Sequence, residues 1–216
     1  MKKILLLGAA AVVLAACGNK PKTQNETGQA GQNAEYAQYL DTLKADNNLK
    51  ITMGKVPVTI VGKELKVGEK IREVPLVVNT KLEEKNIFED KNIKVIYTAP
   101  SLDTKVCSLQ TKQLNEAAKT HTNVKFYSVT VDTPFAQERF CTANEINGLK
   151  AVSDFKYHQF GIQNGFFIKE KGLLTRALMI VDENNNVKYI EYVSEEGKEA
   201  DVDKALKFLE NKLLKK

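Results

Sequence analysis

The sequence has no tryptophan among its 216 residues, only two histidines, and only three cysteines. Three cysteines are too few for a disulfide scaffold. Cys17, Cys107 and Cys141 stand far from one another and from His121 and His158, which speaks against a zinc site as well. No apolar run is long enough to cross a bilayer; the longest, Ile4 to Ala16, falls well short of the roughly 20 residues a spanning helix needs. There is no strong excess of one charge either. The net charge is +5, and Lys2 and Lys3 at the extreme N-terminus supply part of it, which speaks against nucleic acid as a partner. What remains is ordinary globular material, 43% hydrophobic and 27% charged, which excludes wholesale disorder. A chain of this length buries most of its apolar surface without staples, as one compact domain or two small ones. No internal repeat is visible.

Lys2 and Lys3 followed by the run Ile4–Ala16 have the charged and apolar regions of a secretory signal. A buried core helix is the alternative, but this run is apolar on every face. Its end, Leu14-Ala15-Ala16-Cys17, resembles the lipobox of bacterial lipoproteins. That resemblance implies removal of residues 1–16, acylation of Cys17, and an extracytoplasmic protein held to a membrane through its lipid. Several acyl chains at about 0.8 kcal/mol per buried CH₂ give a stable anchor, where a single chain is marginal. Residues 18–34 contain no Val, Ile, Leu, Phe, Met or Tyr, so they are expected to be a flexible tether. Tyr36, Tyr39, Leu40 and Leu43 have helical spacing, which predicts a short amphipathic helix over 35–44 that either docks on the domain or extends the spacer. The expected organisation is a signal over 1–16, a lipidated cysteine and tether over 17–50, and a domain over 51–216.

From Ile51 the pattern alternates between short β-rich runs and helical stretches. Strands are predicted at Val56–Val61, within Asn92–Ala99, at Val124–Val131, at Ala177–Val181 and at Val187–Val193. The last two flank Asp182-Glu183-Asn184-Asn185-Asn186, which reads as a hairpin turn. Helices are predicted over Val106–Lys119, Pro134–Asn144 and Asp201–Leu214. In the last, Val202, Ala205, Leu206, Leu209 and Leu213 form one apolar stripe. The alternation argues for a single α/β domain.

Cys107 and Cys141 lie 34 positions apart in that domain. Taken as a pair alone, they are compatible with a structural disulfide in an oxidising compartment. The surroundings of Cys107 point elsewhere. It falls at a predicted helix start just past a buried strand, where free N–H groups and the helix dipole favour a thiolate. Thr104, three residues earlier, is placed either to hydrogen-bond the sulfur or to cap the helix. Pro100 either covers the thiolate or ends the strand, and Asp103 serves as a first-turn carboxylate.

Pro100-x-x-x-Thr104-x-x-Cys107 matches the P-x-x-x-T-x-x-C motif of peroxiredoxins, and Pro100-Ser101-Leu102-Asp103-Thr104-Lys105-Val106-Cys107 resembles their thiol peroxidase subfamily, the atypical 2-Cys type. Pro134-Phe135-Ala136-Gln137-Glu138-Arg139-Phe140-Cys141 is similar to the segment holding that subfamily's second cysteine. Thr175-Arg176-Ala177 with Ile180-Val181-Asp182-Glu183-Asn184 resembles its A-R-A…V-I-D-E-N segment. One departure lies within the domain: Ile71-Arg72-Glu73-Val74 stands where the family has A-P-x-F.

The resemblance implies a thioredoxin-like α/β fold preceded by a small β-hairpin. It implies a peroxidatic Cys107 that becomes a sulfenic acid, a resolving Cys141 that closes an intrachain disulfide, and a thioredoxin-like dithiol that reopens it. Thr104, Arg176 and Pro100 would shape the thiolate's surroundings. Arg139, two residues before Cys141, reads as a substrate-pocket or loop-anchoring residue, with plain surface charge as the alternative. The substrate would be a hydroperoxide, a homodimer is expected, and no cofactor or metal is required. His121 and His158 match nothing catalytic and read as surface or structural. A thiol–disulfide oxidoreductase of the same fold would need a C-x-x-C pair, but positions 104 and 110 are Thr and Gln. A binding lipoprotein with a fixed disulfide would not need Pro100, Thr104 and Arg176 together.

Overall fold

The computed structural model describes residue 35 and residues 37–215, so the signal-like run, Cys17 and the polar stretch 18–34 lie outside the described residues. Leu40–Lys216 cluster as one compact unit. A helical stretch, α1 (37–42), leads to β1 (Ala45–Asp46). A small antiparallel hairpin, β2 (Ile51–Met53) with β3 (Val56–Val58), precedes β4 (Ile60–Lys63). The expected single strand over 56–61 is therefore two. The hydrogen-bonded framework also begins ahead of Ile51. β1 pairs in parallel with β4, the Asn47 amide donates to the carbonyls of Ile60 (2.8 Å) and Gly62 (2.9 Å), and Leu40 and Leu43 pack against the core. Residues 40–50 thus dock on the domain. Gly62 sits at φ +90 with room for nothing larger, since a Cβ there would lie 2.0 Å from the Ile162 carbonyl oxygen.

The main sheet is assembled from β5 (Leu76–Val77), β6 (Glu84–Lys85), β7 (Lys94–Thr98), β8 (Lys125–Thr130), β9 (Lys150–Ser153), β12 (Ala177–Val181) and β13 (Val187–Tyr192), in the order β13-β12-β7-β8-β9-β5-β6. β7, β8 and β9 are parallel, and the outer pairings are antiparallel. Between them run α2 (Lys105–Thr120), α3 (Pro134–Ala143) and α4 (Gln159–Asn164), and α4 leads to the short strands β10 (Phe167–Ile168) and β11 (Leu173–Leu174). β10 and β11 extend a second sheet through β4. The chain closes with α5 (Val202–Phe208) and a π-helical turn over Leu209–Leu214, dividing the helix expected over 201–214.

A sheet buried on both faces carries unbroken apolar runs, with successive residues feeding opposite cores. In β7, Val95 and Tyr97 join the core shared with α2, α3 and α5, while Ile96 faces the other side. In β12, Leu178 and Ile180 go with the first face, and Ala177, Met179 and Val181 with the second. The hairpin turn forms as expected. Asp182 accepts from the backbone N–H groups of Asn184 and Asn186, both at 2.9 Å, and Asn185 takes the left-handed conformation such turns require. Where the family's proline and aromatic are missing, Ile71 and Val74 are themselves buried, and Asn164 clasps both the N–H and the carbonyl of Arg72.

β9 hands over to α4 through Asp154, whose carboxylate accepts from the backbone N–H groups of Phe160 (3.0 Å) and Gly161 (2.8 Å). Burial outweighs these two bonds and pushes its pKa up from 3.8 to about 7. The folded state therefore binds this proton more tightly than the unfolded one. The resulting stabilisation is fully present below pH 4 and is lost as pH rises through 7. In urea titrations from pH 4 to 8, the wild type is expected to lose about 4 kcal/mol relative to Asp154→Asn over this interval. A stability difference between the two proteins that stays flat with pH would overturn this assignment.

Candidate active site

β7 ends at Thr98 in the middle of the sheet, so the segment after it emerges between neighbouring strands and leads into α2. Pro100 is buried in this segment. Leu102 is pinned through its backbone N–H, which donates to Asp132 Oδ2 across 30 residues at 2.7 Å. Thr104 is the N-cap of α2, which places Cys107 in the first helical turn among N–H groups that have no intrahelical partner. Of the two roles open to Thr104, the structure selects the sulfur. Its side chain makes no capping bond to the helix backbone, and its hydroxyl donates to Cys107 Sγ at 2.8 Å. Cys107 is fully buried and free of any disulfide.

Arg176 enters from just before β12 and is 1% exposed. Its Nη2 donates to the Glu196 carbonyl at 2.8 Å, and its Nη1 donates to the Tyr97 hydroxyl. Its Nε has no partner among the described residues. Burial works against the charge, but Tyr97, Cys107 and Glu196 together hold the guanidinium firmly protonated. The Glu196 carboxylate secures the backbone beneath it, accepting from Arg176 N at 3.0 and 3.1 Å and from the Thr175 hydroxyl at 2.5 Å. A thiol, a hydroxyl and a buried cation are thereby collected on one face of the sheet.

Cys141 is also free, half-buried near the end of α3, and burial pushes its thiol pKa up. It lines a groove of about 910 Å³ that is also bounded by Val78, Asn79 and Gln137. Arg139 is exposed on α3, and no hydrogen bond or ion pair joins its guanidinium to the Cys107 cluster among the described residues. His121 closes the C-terminus of α2, with Nδ1 2.8 Å from the Ala117 carbonyl and Nε2 3.1 Å from Glu210. His158 packs on Phe167 in a left-handed turn, and burial lowers its pKa. Neither histidine hydrogen-bonds to the cluster. Among the described residues, no group of three or more His, Cys, Asp or Glu side chains is placed to hold a metal ion.

Three members of the cluster escaped sequence reasoning. Tyr97 passes for one more apolar residue of a buried strand. Gln110, on the same face of α2 as Cys107, passes for a helix-surface amide. Glu196 belongs to no motif. For Tyr97 and Gln110 the available signal was a polar atom at a position whose spacing marks it as core.

Two free thiols, one fully buried at a helix start beneath a cation, on a mixed sheet flanked by helices, define a thiol-dependent redox protein. The comparisons with known proteins narrow this. Residues 66–206 match the family described as Redoxin. The thiol peroxidase of Oceanobacillus iheyensis is 39% identical over 160 residues, covering 74% of this chain and 97% of that protein. The thiol peroxidase of Bacillus subtilis is 42% identical over 147 residues, covering 68% and 87%. A solved structure, the peroxiredoxin-like protein from Aquifex aeolicus, superposes with a TM-score of 0.71 at 36% identity, covering 76% of this chain and 96% of that one. The chain belongs to the thiol peroxidase family of redoxins.

The Thr104–Cys107 contact gives a direct test. Replacing a cap that does not cap is expected to leave stability nearly unchanged. Removing a hydrogen bond that an anionic sulfur would accept costs about 1.5–3 kcal/mol. Thr104→Val is therefore expected to slow oxidation of Cys107 by peroxide at least tenfold while its melting temperature stays close to that of the wild type. A loss of about 1 kcal/mol in stability with unchanged thiol reactivity would instead return Thr104 to the capping role.

Proposed function

We propose that this chain reduces hydrogen peroxide and organic hydroperoxides, with Cys107 as the peroxidatic thiol and Cys141 as the resolving one. The observation that carries this reading is the hydroxyl of Thr104 on the buried sulfur of Cys107, with Arg176 directed at the same place. The Cys107 thiolate attacks one peroxide oxygen. An S–O bond forms, the O–O bond breaks, and the leaving oxygen takes a proton to depart as water or an alcohol. Cys107 is left as a sulfenic acid.

A free thiol with pKa near 8.5 is a few per cent ionised at neutral pH, so full ionisation raises the rate by roughly fiftyfold at most. The remainder of a peroxidase's rate must come from aligning the O–O bond and stabilising charge on the leaving oxygen. Arg176, the Thr104 hydroxyl and the Cys107 backbone N–H supply the donors, and Pro100 excludes water.

Cys141 then attacks the sulfenic sulfur; an S–S bond forms and water leaves. Cys107 sits in the first turn of α2 and Cys141 near the end of α3, so the disulfide requires local unwinding of one or both segments to bring the Cα atoms within about 7 Å. A thioredoxin-like dithiol reduces the disulfide by exchange. Arg139, exposed beside this segment, is available to the substrate or to the reductant once α3 loosens, and a homodimer is the expected assembly.

Intact mass of the reduced protein after one equivalent of peroxide tests the cycle. The wild type is expected to lose two hydrogens promptly, and Cys141→Ser to gain one oxygen. Oxidation in both no faster than that of an ordinary thiol would overturn the assignment.

The enzyme's place in the cell follows from the other end of the chain. Lys2, Lys3, the run Ile4–Ala16 and the Leu14–Cys17 sequence support export, acylation at Cys17 and attachment to a bacterial membrane on its extracytoplasmic side. Expressed with its own N-terminus, the wild type is expected to partition into the detergent phase and Cys17→Ser into the aqueous phase. Identical partitioning of the two would remove the anchor from this account.

A further inference from the structure

We propose that Tyr97 is a positioning residue for this reaction, its hydroxyl fixing the Arg176 guanidinium against the peroxidatic cysteine; the inference rests on the peroxidase reading above. Tyr97 is fully buried in β7 and points, like Val95, to the face of the sheet that α2 covers. A buried hydroxyl is costly unless it is hydrogen-bonded. This one is used twice: it accepts from Arg176 Nη1 and donates to Gln110 Oε1 at 3.0 Å. Arg176 also lies over the Tyr97 ring, with Cζ 5.9 Å from the centroid.

The anchoring of Arg176 shows why that hydroxyl matters. A guanidinium lies correctly only if both its position and its plane are fixed. Nη2 has one short bond, to the Glu196 carbonyl, while the contact from Nη1 to Gln110 Oε1 is long at 3.5 Å. Nε has no partner. Without the Tyr97 hydroxyl, the head group keeps one short hydrogen bond, to the Glu196 carbonyl, beside its interaction with Cys107, and its plane is less firmly fixed. The Glu196 carboxylate cannot prevent this, because it holds the Arg176 backbone N–H.

Gln110 fixes the other partner. It stands three residues after Cys107 on the same face of α2. Its amide donates to the Ala200 carbonyl at 2.7 Å, and its oxygen accepts from Ala200 N at 3.2 Å. The Tyr97 hydroxyl therefore joins the element carrying the cation to the helix carrying the thiol. Burial raises the phenol's pKa well above its usual value, with Cys107 adding to the effect, so the group stays a neutral hydroxyl able to donate and accept at once.

Tyr97→Phe removes the hydroxyl and keeps the ring. Two rates are measured on the purified full-length wild type and variant: oxidation of Cys107 by hydrogen peroxide, and alkylation of Cys107 by iodoacetamide across pH. Alkylation requires the thiolate but no aligned O–O bond. The expected result is a loss of fivefold or more in the peroxide rate, with alkylation at alkaline pH within twofold of the wild type. A peroxide rate reduced less than fivefold would overturn the role of Tyr97 and leave the peroxidase reading intact. Parallel loss of both rates would also overturn it, since that marks a general disturbance of the site. If the wild type itself reacts with peroxide no faster than a free thiol, the underlying peroxidase reading fails, a result that the wild-type rate alone reveals.

Discussion

Burying the guanidinium of Arg176 is the constraint around which the site is arranged. A cation taken out of water is expensive unless its donors find acceptors and countercharge is close by. Here the acceptors come from distant parts of the chain: the Tyr97 hydroxyl on β7, the Glu196 carbonyl beyond β13, and more weakly Gln110 on α2. The carboxylate of Glu196, also buried, takes the N–H of Arg176 and the hydroxyl of Thr175. Arg176 finds its acceptors only when these separate segments are brought together. The cost of the buried charge thus becomes a means of fixing the helix that holds Cys107 relative to the sheet.

A second network ties the Cys107 loop to the helix of Cys141. Asp132 holds Leu102 N and accepts from the Thr130 hydroxyl, which in turn accepts from the Gln137 amide within α3. The Ser153 hydroxyl closes the set on the Asp132 carbonyl. The loop before α2 and the start of α3 consequently share one hydrogen-bonded knot at the ends of the parallel strands. Cys141 lies about one turn along α3 from Gln137, at the end where the helix stops. A helix end frays more readily than its anchored start.

Much of this was legible from residue pattern. The long helices and the buried strands announce themselves because their periodicity is sustained, and the 182–186 turn because Asp and Asn supply the local hydrogen bonds it needs. Ala177–Val181 is found where expected, and α2 and α3 are found within a residue of expectation. What pattern missed is short or paid for by tertiary contact. β5, β6, β10 and β11 are two residues each, too brief for a period, and α4 begins on a left-handed His158 that only Asp154 and the Phe167 ring make comfortable. Lys94, a lysine inside a buried strand, sets its ammonium on the carbonyls of Asp90 and Asn92. In the site, Thr104 and Cys107 were visible through the spacing of the family motif and Arg176 through the resemblance of its segment to the family's, and the structure brings the three together. Tyr97 was hidden because a hydroxyl leaves no mark on hydrophobic periodicity, and Arg139 carries a motif position without a contact to the cluster.

The placement of the two cysteines within their helices has a kinetic consequence. Thirteen residues of α2 follow Cys107, so the helix survives the loss of its first turn, while only two residues of α3 follow Cys141. In the proposed cycle, the work of bringing the sulfurs together falls on one or both of these helix ends. That work sets how long the sulfenic acid waits for its partner. The waiting time, in turn, fixes the peroxide concentration above which a second oxidation, to sulfinic acid, outruns the disulfide. Helix ends that open easily spare the cysteine at high peroxide, and helix ends that hold fast turn the same enzyme into one that switches itself off.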